Sequence, residues 1–201
     1  MAWSSYNSSG AAKTNGSPTF VTSLPTGSDG QEVYYRADDA NGVIWHLRYR
    51  GTASGGNATY PWEFVGGPPQ FAQSTAIMSP ITATSPANLS TSIATTLALK
   101  GEYFIETFAT QMSLTGAGLT FFLAPGFSGG ITETAAITGG VALHSAGGTV
   151  VVSAASSYRK EITTASTVLT LKGWVVSGAM GYPNNAAAAP VGMRVTPIRV
   201  G

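Results

Sequence analysis

Residues Asp29–Gly67, DGQEVYYRADDANGVIWHLRYRGTASGGNATYPWEFVGG, decide the fold of this chain. Between positions 43 and 50 two sets of side chains alternate, Val43, Trp45, Leu47 and Tyr49 in one set and Ile44, His46, Arg48 and Arg50 in the other. This period of two is typical of a β-strand with one buried face. The dipeptide Asn41-Gly42 directly before it signals a tight hairpin turn, because both residues tolerate a positive φ. The stretch therefore predicts paired antiparallel strands.

We interpret the stretch as a three-stranded antiparallel meander, with strands at 31–37, 43–50 and 60–65. A sheet this small is marginally stable unless it buries large apolar side chains. The predicted core of this module consists of seven such residues: Tyr34, Trp45, Leu47, Tyr49, Tyr60, Trp62 and Phe64. The same aromatic cluster could form a platform on which a sugar ring stacks, but a miniature core explains it better.

Gly and Pro interrupt the rest of the chain so often that few windows leave room for a helix of ordinary length. In the C-terminal half, about eight short strands separated by Gly-rich turns favour a jelly-roll-like sandwich, and Pro197 fits an edge position or a bulge. The predicted fold class is all-β, a small N-terminal meander followed by a jelly-roll-like β-sandwich. Four regions follow: an anchoring segment at 1–28, the aromatic module at 29–69, a linker at 70–86 and the sandwich at 87–201.

The composition argues against several classes of partner. Only 9% of the 201 residues are charged, and the formal net charge is +1, so no basic surface is expected for nucleic acid or for an anionic membrane. The longest uncharged stretch, 64–99, is broken by Gly and Pro, so we expect no membrane insertion. Cysteine is absent, which removes disulfides and thiolate chemistry. The first ten residues lack the basic and apolar regions of a secretion signal.

One motif has the spacing of a catalytic nucleophile. Gly126–Gly130, GFSGG, fits the G-x-S-x-G pattern, with Glu133 and His144 downstream. That motif needs a helix after the Ser, whereas residues 131–140 are rich in Thr and Ala and end in Gly-Gly, so a Gly-rich loop between strands is the better interpretation. His46 and His144 lack metal-ligand spacing. We predict no catalytic residue, no metal site and no cofactor, and a protein that is not an enzyme.

The charged residues of the module are expected to serve its structure. Asp38, Asp39 and Asn41 favour a turn capped by its own side chains, since no Glu follows at the spacing of a calcium loop. We expect the arginines of the module to lie along the surface or to pair with its acids, Arg36, Arg48 and Arg50 with Asp38, Asp39 and Glu32.

The module closely resembles one that recurs in bacteriophage structural proteins, particularly tail-associated and fibre-like ones. The resemblance lies in D-G-Q-E, the W-H-L-R-Y strand and W-E-F-V-G-G-P-P, over about 40 residues. The opening MAWSSYNSSGAAKT is similar to the start of certain phage tail proteins. The C-terminal part is more loosely similar to trimeric jelly-roll heads that follow this module, through LALKGEYFIE and the closing strand MRVTPIRV.

The resemblance implies a protein on the exterior of a virion, released by lysis and therefore without need of a secretion signal. We expect a homotrimer, because closed cyclic symmetry lets a small-residue sandwich complete its burial. Trp3, Tyr6 and Phe20 are the expected anchors to other tail or capsid proteins. The leading function is host-surface contact by a tail protein, with glycan bound at loops such as 126–130 and 181–189. The alternatives are a capsid decoration or head-fibre protein and, less favoured, a cell-wall hydrolase.

Overall fold

The computed structural model describes residues 19–38, 41–90, 92–115, 119–128, 141–145, 149–176, 180–183 and 190–201, and the backbone of 5–6 and 12–13. Throughout these ranges the regular structure is β, apart from one 3-10 turn at Thr52–Ser54. The strands are β1 Ser5–Tyr6, β2 Ala12–Lys13, β3 Thr19–Val21, β4 Glu32–Asp38, β5 Val43–Tyr49, β6 Trp62–Gly66, β7 Gln70–Ser74, β8 Ala87–Asn88, β9 Ala94–Leu97, β10 Gly101–Thr115, β11 Leu119–Phe127, β12 Val141–Ser145, β13 Thr149–Ile162, β14 Thr167–Val175, β15 Met180–Tyr182 and β16 Val191–Val200. The predicted all-β class is confirmed.

The aromatic module forms the expected meander. Strands β4, β5 and β6 are antiparallel neighbours in that order. The turn between β4 and β5 has the expected chemistry, because Gly42 has a φ of 66° and the side chain of Asp38 accepts hydrogen bonds from Asn41. The short strand β3 adds to the other side of β4 in parallel orientation, with Phe20 beside Tyr34.

The meander is part of a larger sheet that also contains C-terminal strands. Strand β16 pairs with β10 on one edge and with β6 on the other, so the main path of this nine-stranded sheet runs β13-β10-β16-β6-β5-β4-β3. Strand β7 pairs with β16 and β15 pairs with β10 beside this path. We expected a separate module here. In a separate module one edge of β6 would be unpaired, whereas in the structure β16 supplies hydrogen-bond partners for that edge.

The Gly-Gly-Pro-Pro segment connects β6 to β7 along one edge of β16. Strands β6 and β7 pair with the same edge of β16, through Glu63 opposite Arg199 and Gln70 opposite Val195. Gly67 turns the chain with a φ of 125°, and the Pro68 carbonyl accepts a hydrogen bond of 3.1 Å from the indole N–H of Trp45. Residues 70–86, expected as a linker, thus begin with a sheet strand in which Gln70 and Ala72 are buried.

A second sheet covers the first. It has five strands, with β11 between β12 and β14, and with β8 and β9 both pairing with β14. Its inward residues Phe121, Leu123, Leu169 and Leu171 belong to the same buried cluster as Trp45, Ile105, Leu114 and Val195 of the nine-stranded sheet. The two sheets therefore enclose one continuous core that includes the meander.

Two details of the C-terminal strands can be compared with the sequence. The bulge expected at Pro197 is present, since the β10–β16 register shifts between Arg199 and Pro197. Strand β13 runs over fourteen residues and is therefore longer than the short strands expected in this half of the chain.

The buried face of the meander is close to the predicted one, with one exchange. Trp45, Leu47, Tyr60 and Trp62 are buried, and Tyr49 and Phe64 pack partly buried against the same core. Tyr34 lies on the opposite, half-exposed face, and Tyr35 is buried in its place. Strand alternation explains this correction, since Val33 and Ala37 point inward and force position 35 to do the same.

Candidate functional site

The outer face of the nine-stranded sheet carries a row of charged side chains, one on each of six neighbouring strands. The strand register aligns Glu32, Arg48, Glu63, Arg199, Glu102 and Glu161, from β4 to β13. We call these six residues the charged row. In a chain with so few charges, this concentration on one face is the most distinctive surface feature of the described structure.

Glu102 is the most strongly paired member of the charged row. Its oxygens accept hydrogen bonds from Nε and Nη2 of Arg199, at 2.8 and 2.9 Å, and it also pairs with Arg159. The hydrogen bond from Arg199 is the main reason why the pKa of Glu102 lies below its usual range, and Arg159 adds to the effect against the opposing cost of partial burial. The same bond raises the pKa of Arg199. This pairing links β16 to β10 and β13.

Glu32 organises the other end of the charged row. Arg48 donates to its Oε1 from Nε at 2.8 Å, and His46 Nε2 lies 2.9 Å from Oε2. The expected pairing of Arg48 with an acid of the module is thus confirmed for Glu32. Arg50 pairs with Glu63 instead of with an aspartate, at 3.3 Å, because β6 lies next to β5 on that side.

A tyrosine completes the row at the β13 end. The Tyr60 hydroxyl donates a hydrogen bond of 2.8 Å to Glu161 Oε1. Burial and this contact with a carboxylate both raise the pKa of Tyr60. The bond connects the loop before β6 to the far strand β13, which adds a second link between the aromatic module and the C-terminal strands.

An aromatic patch borders the charged row at the β3 edge. The rings of Phe20 and Tyr34 are 5.2 Å apart and those of Tyr34 and His46 are 5.1 Å apart. Phe20 is 58% exposed, and beside it a groove of about 600 Å³ is lined by residues that include Pro25 and Arg36. Exposed aromatic side chains next to a groove are typical of surfaces that bind another molecule.

Of the three expected anchors, the structure describes the side chain of Phe20 alone. It lies on β3 at the edge of the nine-stranded sheet, as an exposed ring in a position suited to contact a partner. Trp3 and the side chain of Tyr6 lie outside the described residues, as does Asp39 of the β4–β5 turn. Most of the expected glycan loops, residues 129–130 and 184–189, lie outside them too.

Ser128 of the G-x-S-x-G motif and its candidate partner His144 are far apart in the structure. His144 pairs in register with Thr120 near the start of β11, whereas Ser128 follows the end of that strand. Eight residues of extended chain separate Thr120 from Ser128, a distance of roughly 26 Å. Ser128 Oγ instead accepts a hydrogen bond from the Val168 backbone N–H at 2.9 Å. The structure therefore does not bring this Ser and His together, and Glu133 lies outside the described residues.

Searches among known proteins leave the resemblance without independent support. No protein-family model matches the chain, and no curated protein matches its sequence. Within the described part of the chain, no helix is long and apolar enough to cross a membrane.

Sequence reasoning missed the charged row as a unit. Each member was visible as a lone charge on an outward position of a strand, such as Glu63 between Trp62 and Phe64. The row itself depends on which strands are neighbours, above all on the insertion of β16 between β6 and β10. No local pattern carries that information, so the alignment of Arg199 with Glu63 and Glu102 could not be predicted.

Proposed function

We propose that the protein is a structural component of a bacteriophage particle, attached through its N-terminal segment and exposed on the exterior of the virion. Its role is binding and assembly. It contacts the host surface as a tail-associated, fibre-like protein, and it acts as a homotrimer. The charged row and the aromatic patch belong to the body that such a protein exposes.

One observation carries the proposal. The residues behind the phage resemblance hold the backbone in shape: Gly67 makes the turn with positive φ, and Trp45 donates to the Pro68 carbonyl. Residues used in this way are constrained by backbone geometry, so a chain with the same residues at the same spacing is expected to form the same local structure. A rigid module fused into the main sheet suits a protein that connects a particle to its surroundings.

The position of Phe20 supports attachment through the N-terminal segment. Its exposed ring lies on β3, at the edge of the sheet, and the preceding chain joins the sheet there. Deleting residues 1–20 should therefore leave the body from β4 to β16 folded and abolish incorporation into particles. Folding of the truncated chain, measured by circular dichroism, is the control.

The direct test is immunogold labelling of intact particles from the source, with antibodies raised against the purified chain. Particles that lack the gene product serve as the negative control. Label at the tail supports host contact, and label over the head supports the alternative of a capsid decoration or head-fibre protein. Absence of label from every particle would refute the assignment to a virion.

A further inference from the structure

A second recess lies where the two sheets meet at one edge. Asp38, Asn41 and β7 of the nine-stranded sheet form one side of it, and β9 of the five-stranded sheet forms the other. Its volume is about 400 Å³, and the residues that matter for its chemistry are Asp38, Asn41, Phe71 and Thr96. We call it the inter-sheet cleft. This volume falls within the range of small-molecule sites.

The walls of the cleft are held by hydrogen bonds and by an aromatic contact. Gln70 Nε2 donates to the Thr96 carbonyl at 3.2 Å, which ties β7 to β9 across the two sheets. The guanidinium carbon of Arg194 lies 5.1 Å from the centre of the Phe71 ring and steadies that side chain. A recess with fixed walls loses little conformational entropy when a ligand enters.

The lining offers two kinds of contact side by side. Phe71 is 44% exposed and supplies a flat apolar ring. Each oxygen of the Asp38 carboxylate accepts one hydrogen bond from Asn41, at 3.2 and 2.7 Å. A carboxylate oxygen can accept two, so Asp38 retains capacity for donors from a ligand. The hydroxyl group of the exposed Thr96 adds a further polar position.

From this arrangement we infer that the inter-sheet cleft binds a neutral hexopyranose unit of a glycan. A pyranose ring has an apolar face of C–H groups for Phe71, and its neighbouring hydroxyl groups donate to Asp38. The carboxylate of Asp38 also disfavours sugars that carry an acidic group, through like-charge repulsion. The biological meaning of this site rests on the proposed function in host contact, whereas the binding itself can be measured alone.

The location of the cleft fits that meaning. Strand β3 begins beside Val33, and Asp38 lies five residues further along β4, which is roughly 17 Å at 3.3 Å per residue. The cleft therefore lies at the end of the meander opposite the point where the N-terminal chain joins the sheet. A sugar bound there would face away from that point of attachment.

The test is ligand-observed NMR on the purified full chain. The probes are the methyl glycosides of glucose, galactose, mannose and N-acetylglucosamine, with methyl glucuronide as the acidic comparison. We expect saturation transfer to at least one neutral probe at millimolar concentration and a weaker signal or none for the glucuronide. Phe71→Ala should weaken binding about tenfold, a factor that corresponds to about 1.4 kcal/mol.

Two variants guard the result against a folding artefact. Thr96→Lys introduces a long side chain at an exposed position that lines the cleft, and it should abolish binding without disturbing the core. Phe104→Ala removes an exposed aromatic ring outside the cleft and should leave binding unchanged. The inference is overturned if no neutral probe binds, or if Thr96→Lys binds as well as the wild type. If the protein binds a sugar but is absent from all particles, the sugar site stands and only the virion proposal is refuted.

Discussion

Replacing Glu102 with Gln tests whether the centre of the charged row holds the sheet together. The substitution keeps the size of the side chain and removes the charge that two arginines share. Only 16% of the Glu102 side chain is exposed, so its hydrogen bonds with Arg199 are partly shielded from water. Hydrogen bonds to charged groups contribute about 1.5–3 kcal/mol, and Gln retains a weakened form of one. We expect a loss of about 1–2 kcal/mol in the free energy of unfolding at neutral pH.

The matched control is Glu106→Gln on the same strand face. Its ion pair with Arg194 is longer, at 3.4 Å, and both side chains are more exposed, so the loss should stay below about 0.5 kcal/mol. Urea unfolding followed by circular dichroism measures both variants. Equal destabilisation of the two variants at neutral pH would refute the reasoning.

The pH dependence gives a second check on Glu102. Its pKa in the folded protein is lowered from the ordinary value of 4.5, so the pairing contributes its full stability above that value. This contribution is lost as the pH falls through the lower pKa of the folded state, because the carboxyl group becomes protonated. The difference between wild type and Glu102→Gln should therefore shrink toward zero in acid. A difference that stayed constant down to about pH 2 would contradict the assignment.

Three further predictions concern the backbone turn, the buried face of the meander and the assembly. Gly67→Ala should lower the free energy of unfolding by more than about 2 kcal/mol, because its Cβ would lie 2.4 Å from the Ile44 carbonyl oxygen at a positive φ. The control is Gly66→Ala, whose Cβ meets nothing within 4 Å. Similar melting temperatures for the two variants would contradict this prediction. Tyr35→Ala should lower the free energy of unfolding by about 3–5 kcal/mol and Tyr34→Ala by less than about 1 kcal/mol. Chemical denaturation measures both variants, and a larger loss for Tyr34→Ala would refute the assignment of the buried face. Light scattering should give three times the chain mass of 20.5 kDa, and a stable monomer at micromolar concentration would exclude the trimer.

The meander was predictable because its signals are local. Alternation from Val43 to Arg50 and the Asn41-Gly42 turn fix two strands and their connection without reference to the rest of the chain. The exchange of Tyr34 for Tyr35 shows where local signals weaken. With two adjacent aromatic residues, the pattern does not settle which of them faces the core, and the inward positions of Val33 and Ala37 decide it.

The union of the meander with the C-terminal strands was not predictable in the same way. Gly66–Pro69 reads as a domain boundary because Gly and Pro end regular structure. In the structure the same residues connect two strands that pair with one edge of β16. The difference depends on a pairing between residues 136 to 138 positions apart, which neither composition nor periodicity encodes. The inter-sheet cleft depends on the same long-range arrangement.

The central position of β16 sets the order in which this protein can fold. That strand follows all the other described strands in the sequence, yet it fills the gap between β6 and β10. While the chain is being made, both neighbours expose unpaired backbone groups until β16 emerges, which makes the growing chain vulnerable to aggregation. Pairings this distant also close slowly. Production of the protein should therefore benefit from slow synthesis at low temperature, and any chain stopped before residue 191 should accumulate as insoluble material.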